Sequence, residues 1–174
     1  MNDTLRNFAR EINTHNPTCF PQAITDEVKR FCSRINPKSA PVLIDHCPQP
    51  WAAPNQCIAN CMCMVKLKGG HAEVGYMILE TRGMLLFATG HVVWRSALKR
   101  RIDVTPTPYP PSDFTLFLPA PVNMGAGKKR TPSVVMPLEN SEDVQRLIEY
   151  YRAIASEVFG EDLIVLDRDG IVVT

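Results

Sequence analysis

Three residues in the middle of this chain have the side chains needed for nucleophilic acyl chemistry. They are Cys57, His91 and Asp103, and each lies in a short segment of its own. In such a set the imidazole takes the thiol proton, the carboxylate fixes the imidazole tautomer, and the thiolate attacks a carbonyl carbon. The sequence therefore predicts a catalytic triad in which Cys57 is the nucleophile, His91 the general acid and base, and Asp103 the orienting carboxylate.

The segment around Cys57 predicts a helix that begins at the nucleophile. Cys57 follows Pro54 and a polar pair, and residues 58–68 contain neither proline nor glycine. Gly69-Gly70 should then end this helix. Because the positive end of a helix dipole lies at its N-terminus, a thiol at this position tends to have a lowered pKa.

The segments that carry His91 and Asp103 are typical of β-strands. Residues 74–81 and 85–94 form two strand-like runs, and residues 99–104 form a third. His91 and Asp103 would then lie on neighbouring antiparallel strands, where cross-strand side chains come within reach of a hydrogen bond. The triad is complete if the N-terminus of the helix packs against this sheet.

This pattern resembles the transglutaminase-like branch of the papain-like superfamily. Members carry a Cys at a helix start, a Gly-Tyr or similar strand, a His followed by an aromatic-rich strand, and an Asp leading into Thr or Pro. The matching segments here are Cys57, Gly75-Tyr76, His91-Val92-Val93-Trp94 and Asp103-Val104-Thr105-Pro106. The resemblance implies an α+β papain-like fold, with helices around a mainly antiparallel sheet, and a thiol nucleophile.

The same resemblance leaves the substrate open. The superfamily includes peptidases, protein cross-linkers, glutamine deamidases, peptide N-glycanases and arylamine acetyltransferases. The Arg-Gly-Gly run that precedes the Cys of the acetyltransferases is absent from this chain. We therefore expect an acyl-transfer enzyme that acts on peptide, isopeptide or glutamine-type amide bonds through a thioacyl intermediate. Hydrolysis is favoured because the small domain shows no second substrate-binding module.

The residues just before the nucleophile are candidates for the oxyanion hole and the cleft wall. Papain-like enzymes usually place a Gln several residues before the Cys, whereas Gln56 precedes Cys57 directly. Gln56, its neighbour Asn55 and the Cys57 backbone N–H are therefore candidate donors to an oxyanion. Trp51 is a candidate for the cleft wall, and a surface aromatic packed on the core is an equally good interpretation.

Two other functions remain open, a non-catalytic binding module on the same fold and a small zinc-binding structural protein. The zinc hypothesis depends on Cys61 and Cys63, with His46-Cys47 and His71 nearby in the sequence. However, Cys61 and Cys63 would point about 200° apart on a helix. Paired Cys-x-x-Cys knuckles are also absent. We therefore predict no metal and no cofactor.

Length and charge indicate a single domain that acts on a protein or peptide. The chain has 174 residues and a net charge of +1, so we expect one papain-like domain over residues 1–174, with the triad region at about 50–106. The near-balanced charge makes nucleic acid an unfavourable partner. The polar N-terminus and the lack of a long apolar run argue against a membrane partner and favour a cytoplasmic location. The sequence makes no prediction of oligomeric state.

The flanking segments predict supporting elements without chemistry of their own. Apolar residues recur at helical spacing in residues 5–12, after Thr25-Asp26 and after Ser141, and residues 163–173 are typical of a terminal hairpin. The glycine-rich basic segment Gly125 to Arg130 predicts a solvated loop, because no Ser or Thr follows its Lys as a phosphate-binding loop requires.

Overall fold

The helices occupy both ends and the middle of the chain. A computed structural model describes residues 3–124, 130–167, 169 and 171–173. Within these ranges the chain forms the helices α1 (Asp3–His15), α2 (Asp26–Ile35), α3 (Cys57–Lys68) and α4 (Glu142–Ile154). A π-helical turn, Ala155–Phe159, extends α4.

The strands form one sheet that is mainly antiparallel. They are β1 (Thr18–Cys19), β2 (Val42–His46), β3 (His71–Thr81), β4 (Leu85–Arg95), β5 (Arg101–Asp103), β6 (Phe114–Pro119), β7 (Ser133–Pro137), β8 (Leu163–Leu166) and β9 (Val172–Val173). Only the β2–β5 and β7–β8 pairings are parallel in the described part of the chain.

Five of these strands close into a barrel. β3 pairs with β6, β6 with β2, β2 with β5, β5 with β4, and β4 again with β3. Ile44, Val93 and Phe117 pack together from three of these strands, so the face of β4 that carries Val93 points into the barrel. β1 pairs with β3, and β7 to β9 extend the sheet from β4.

Local sequence explains where the helices begin and end. The Thr25 hydroxyl caps α2 by accepting from the Val28 N–H, and the Ser141 hydroxyl caps α4 in the same way. Gly69 ends α3 with a φ of 71°, a conformation that glycine adopts without steric cost. Gly160 ends the turn after α4 in the left-handed conformation.

Each helix buries an apolar face against the sheet. Phe31 and Cys32 of α2 lie in the largest core cluster, with strand residues from β3, β4, β6 and β7. α1 and α4 share a second cluster around Leu85 and Val135. Cys61 and Met64 of α3 pack against β4, which holds the start of α3 beside the barrel.

The predicted elements agree with the structure over the triad region. The mixed α+β class, the helix that begins at Cys57, the two long strands and the β5 pairing are confirmed. β5 is shorter than the predicted run 99–104, and the sequence did not predict β1, β2, β7 or the closure of the barrel. The segment Gly125–Lys129 and two residues of the terminal hairpin turn, Arg168 and Gly170, lie outside the described residues. Within the described part of the chain, no helix is long and apolar enough to cross a membrane.

Candidate active site

Cys57 is the first residue of α3 and lies at the rim of the barrel. Asn55 precedes it with a φ of 59°, a left-handed conformation that Asn tolerates better than most residues. Gln56 occupies the N-cap position but makes no side-chain capping bond. The first N–H groups of α3 therefore lack a side-chain acceptor from the cap, and the half-buried thiol lies at the positive end of the helix dipole.

His91 and Asp103 meet across the β4–β5 pairing. Trp94 lies opposite Ile102, and continuing this register places Asp103 opposite Val93, two residues from His91. Such diagonal neighbours share one face of the sheet, and long side chains there can touch. His91 Nε2 donates to Asp103 Oδ2 at 3.0 Å, so the two predicted residues form a hydrogen-bonded pair on the barrel face of the sheet.

The Asp103 carboxylate is fully buried, and each of its oxygens is satisfied. Besides His91, the Thr115 hydroxyl donates to Oδ2 at 2.9 Å, and the Thr105 N–H donates to Oδ1 at 3.1 Å. Burial alone would raise the pKa of Asp103, but the charge and hydrogen bond of His91 lower it below its ordinary value. The carboxylate is thus held ionised and in one orientation.

A gap in the sheet lets the thiol reach the imidazole. Along one edge of β4, the pairing with β7 ends at Ala88 and the pairing with β5 begins at Trp94. Among the described strands, none pairs with that edge between these two residues. The start of α3 lies here, where the backbone N–H groups of Val92 and Ile58 hydrogen-bond the Cys57 sulfur. Because Nε2 of His91 is bonded to Asp103, Nδ1 is the ring nitrogen left for the thiol.

The thiol and the imidazole shift each other's pKa toward the ion pair. Burial alone would raise the pKa of Cys57, but hydrogen bonding to His91 and its charge lower the pKa below its usual value, and the two backbone N–H groups lower it further. Burial alone would lower the pKa of His91, but the charge and hydrogen bond of Asp103, together with Cys57, raise it well above its usual value. Both shifts favour a thiolate–imidazolium pair at neutral pH.

Asn60, one turn after the nucleophile, ties α3 to the loops on both sides of the site. Its buried amide donates to the Ala53 carbonyl at 2.9 Å and to the Thr105 hydroxyl at 3.2 Å, and it accepts from the Ala53 N–H at 3.2 Å. The loop that leads into Cys57 and the segment that follows Asp103 are therefore joined through one side chain. The sequence did not predict this role for Asn60, although a polar residue at a buried helical position usually has hydrogen-bond partners.

Replacing Asn60 by alanine is expected to lower the free energy of unfolding by about 1–3 kcal/mol, since the buried Thr105 hydroxyl loses a partner and the two bonds to Ala53 are lost. Urea denaturation of the variant and the wild type measures this difference. Gln56→Ala, an exposed position without a capping bond, is the control and should change stability by less than about 0.5 kcal/mol. An equal loss of stability in both variants would show that the hydrogen bonds of Asn60 do not hold the two loops together.

A cavity of about 280 Å³ opens beside the nucleophile. Cys57, His91 and Asn55 line one part of it, and Phe87 and Tyr151 line another. This volume lies near the lower end of the range for small-ligand sites, about 300–1,000 Å³. The thiol thus faces a space that can hold part of a substrate.

The other candidate residues do not line this cavity. Trp51 is 46% exposed and is not among the residues that line the cavity, and neither is the exposed Gln56. Cys61 is buried and donates to the Val92 carbonyl at 3.3 Å, whereas Cys63 is exposed. Over the described residues, no group of three or more His, Cys, Asp and Glu side chains is placed to hold a metal.

The glycine of the Gly75-Tyr76 segment has a structural explanation. Gly75 lies opposite His91, and a Cβ at this position would lie 2.4 Å from the Leu118 carbonyl oxygen and 2.5 Å from the Phe117 ring. Only a residue without a side chain lets β6 approach this closely. Gly75 therefore allows the barrel to close behind the imidazole.

Comparison with known proteins yields no match. No protein-family model matches the chain, and no curated protein or solved structure does so. Membership of the papain-like superfamily therefore stays a prediction, and the chemistry of the site rests on its own geometry.

Proposed function

We propose that this protein is a cysteine-nucleophile acyl-transfer enzyme that cleaves peptide, isopeptide or glutamine-type amide bonds through a thioacyl intermediate, with water as the favoured acceptor. The observation that carries this proposal is the buried His91–Asp103 pair, hydrogen-bonded at 3.0 Å, beside a helix-terminal thiol that faces a cavity. Three apolar side chains would fill the same space as well as these polar groups do, so packing alone does not explain them.

The first half of the reaction forms the thioacyl intermediate. The Cys57 thiolate attacks the carbonyl carbon, and the new C–S bond pushes an electron pair onto the carbonyl oxygen. The imidazolium of His91 then gives its Nδ1 proton to the leaving nitrogen as the C–N bond breaks. Asp103 stays ionised throughout, because its role is to hold Nε2–H and to stabilise the imidazolium.

The second half returns the enzyme to its starting state. His91 Nδ1 takes a proton from water as the water oxygen attacks the thioester carbon. The C–S bond breaks, the carboxylic acid product leaves, and the thiolate–imidazolium pair is restored. An amine in place of water gives transfer by the same steps.

We assign the oxyanion to the backbone N–H of Cys57 and the side chain of Asn55. Both residues line the cavity, whereas Gln56 does not. The left-handed backbone of Asn55 turns the loop immediately before the nucleophile. Donors at this place would stabilise the negative charge that develops on the carbonyl oxygen of the substrate.

We further infer that the fold is papain-like in one respect: the nucleophile stands at the start of a helix that packs on a mainly antiparallel barrel, and this barrel carries the His and the Asp. We also propose a cytoplasmic location and a protein or peptide substrate. All six cysteines are free thiols in the structure, which is the state that the reducing cytoplasm maintains.

Iodoacetamide is expected to alkylate Cys57 ahead of the other five cysteines at about pH 6.5, because only the thiolate reacts and the pKa of Cys57 is lowered. Burial raises the pKa of Cys32 and of Cys61 to about 12, so these thiols should stay unmodified. Peptide mass spectrometry over a time course measures the rate at each cysteine. From about pH 8 to pH 6 the Cys57 rate should fall less steeply than that of an ordinary thiol, which loses about tenfold per pH unit below its pKa.

The variant His91→Ala shows whether Cys57 reacts fast because His91 activates it or only because its thiol is accessible. This change should slow the alkylation of Cys57 at least tenfold at about pH 6.5, since one pKa unit corresponds to a factor of ten in thiolate. The exposed Cys63 is the internal control in both proteins. Alkylation of Cys57 no faster than Cys63, or indifferent to His91, would overturn the proposed enzyme in favour of a binding module.

A further inference from the structure

The cavity beside Cys57 extends along one face of β4. Successive side chains of a strand point to opposite faces, so Phe87, Thr89 and His91 share a face, and all three line the cavity. The four residue steps from Phe87 to His91 span about 14 Å. The cavity therefore leads from the imidazole to a distant end at Phe87, and Thr89 lies midway.

The distant end of the cavity is apolar and largely aromatic. The rings of Phe87 and Tyr151 stack at 4.6 Å with an interplanar angle of 17°. Met77 and Tyr109 pack beside Phe87 and also line the cavity. None of these side chains takes part in the proposed reaction steps.

Among the residues that the structure describes, the charges on the cavity wall balance each other. Apart from the groups of the triad, the charged residues of this described wall are Arg130 and Glu161, one positive and one negative. The Glu161 carboxylate is buried and accepts a hydrogen bond from the Ser133 hydroxyl. A neutral occupant therefore meets no unbalanced charge, whereas an ionised one would be desolvated without a net counter-charge.

We propose that this cavity is the acyl pocket of the enzyme and that it selects a neutral acyl group with an extended apolar or aromatic end. This inference rests on the proposed function, because it takes Cys57 as the acylated atom. The carbonyl of the substrate lies at Cys57, and its apolar end lies against the Phe87–Tyr151 stack. The substrate class is thus an amide whose acyl part is neutral and ends in an extended apolar or aromatic group.

The test compares 4-nitrophenyl acetate, 4-nitrophenyl hexanoate and 4-nitrophenyl 3-phenylpropanoate on the full chain. In each case the Cys57 thiolate forms a C–S bond, the ester C–O bond breaks, and 4-nitrophenolate leaves and is measured by its absorbance. The second-order rate of the first turnover should be about tenfold or more higher for the two long esters, since each buried methylene is worth a factor of about four. The monoester of adipic acid, which ends in a carboxylate, should react no faster than the acetate.

Thr89→Phe is the matching variant, because a ring at this midpoint should close the way to the distant end. We expect the ratio of the long-ester rates to the acetate rate of the same variant to fall at least tenfold. Val74→Phe adds the same ring at an exposed position of β3 outside the cavity and should leave the preference intact. Iodoacetamide rates at Cys57 report in each variant whether the nucleophile remains activated.

The outcomes separate the pocket from the enzyme. Equal rates for all three neutral esters, with Cys57 still activated toward iodoacetamide, would overturn the acyl pocket and leave the proposed function standing. A preference for the adipate ester would overturn the neutral class. Slow reaction of Cys57 with iodoacetamide and with every ester would overturn the proposed function and the pocket with it. The ester series on the wild-type protein decides the matter even if Thr89→Phe does not fold.

Discussion

Replacing Cys57 by alanine is expected to abolish turnover of any ester or amide substrate, a loss of about 10⁴-fold or more, as for the nucleophile of serine triads. The reason is that Cys57 supplies the atom that forms the new bond. Release of 4-nitrophenolate from 4-nitrophenyl acetate measures the loss. Urea denaturation of the same sample shows whether the variant is folded.

Cys57→Ser should be nearly as damaging as Cys57→Ala. A hydroxyl has a far higher pKa than a thiol. Two backbone N–H donors and His91 lower the pKa of the thiol here, but the same groups do not lower the pKa of a hydroxyl enough to ionise it at neutral pH. Residual activity of the serine variant should stay below about 1% of the wild-type rate.

Cys63 provides the matched control, since it lies in the same helix and is exposed. Cys63→Ala should leave turnover within about twofold of the wild-type rate. If Cys63→Ala or Cys61→Ala proves as damaging as Cys57→Ala, and purified protein loses bound zinc at the same time, the zinc hypothesis should replace the enzyme. If none of the three changes affects the biological role, the domain is a binding module.

The sequence predicted the triad region well because its signals are local. Proline before Cys57 and Gly69 after Lys68 mark the ends of α3, and the long apolar runs of β3 and β4 are unambiguous. His91 and Asp103 lie on strands that are consecutive in the chain, so their adjacency could be predicted without knowledge of distant contacts.

The remainder of the site depends on distant parts of the chain. Thr115 donates to Asp103 from β6, which follows a long irregular segment, and Tyr151 reaches the cavity from α4. β2 is a short strand whose partners, β5 and β6, lie far along the sequence. Periodicity in a single segment carries no information about such contacts, so the barrel and the distant end of the cavity could not be predicted.

The sequence also did not predict which candidate oxyanion donor faces the cavity. Gln56 precedes the nucleophile directly and Asn55 stands one residue farther away, but only Asn55 lines the cavity. The difference arises from the left-handed turn at Asn55, which sets where each side chain points. Several residue types can adopt the left-handed conformation, so the sequence alone does not predict that Asn55 adopts it.

Asp103→Asn is expected to lower turnover by up to about 10⁴-fold, the loss seen for the same change in a serine triad. The amide is neutral, so it cannot stabilise an imidazolium, and its NH₂ group can face Nε2 only with the wrong tautomer of His91. Because the Asp103 charge raises the pKa of His91, that pKa should fall in the variant and the pKa of Cys57 should rise. The rate of Cys57 alkylation, followed from about pH 6 to pH 9, should therefore become that of an ordinary thiol, steeply dependent on pH.

Thr115→Val tests whether the loss of activity expected for Asp103→Asn comes from the lost charge or from the disturbed hydrogen-bond network. Valine has nearly the shape of threonine, and the change removes one hydroxyl donor to Asp103 Oδ2 while keeping the carboxylate and its bond to His91. We expect a loss of about tenfold or less and an alkylation profile close to that of the wild type, since a hydrogen bond to a charged group is worth about 1.5–3 kcal/mol in stability and only part of this acts on the imidazole. A pH profile in Asp103→Asn that matches the wild type would show that Asp103 serves packing alone, and the triad would reduce to a Cys57–His91 pair.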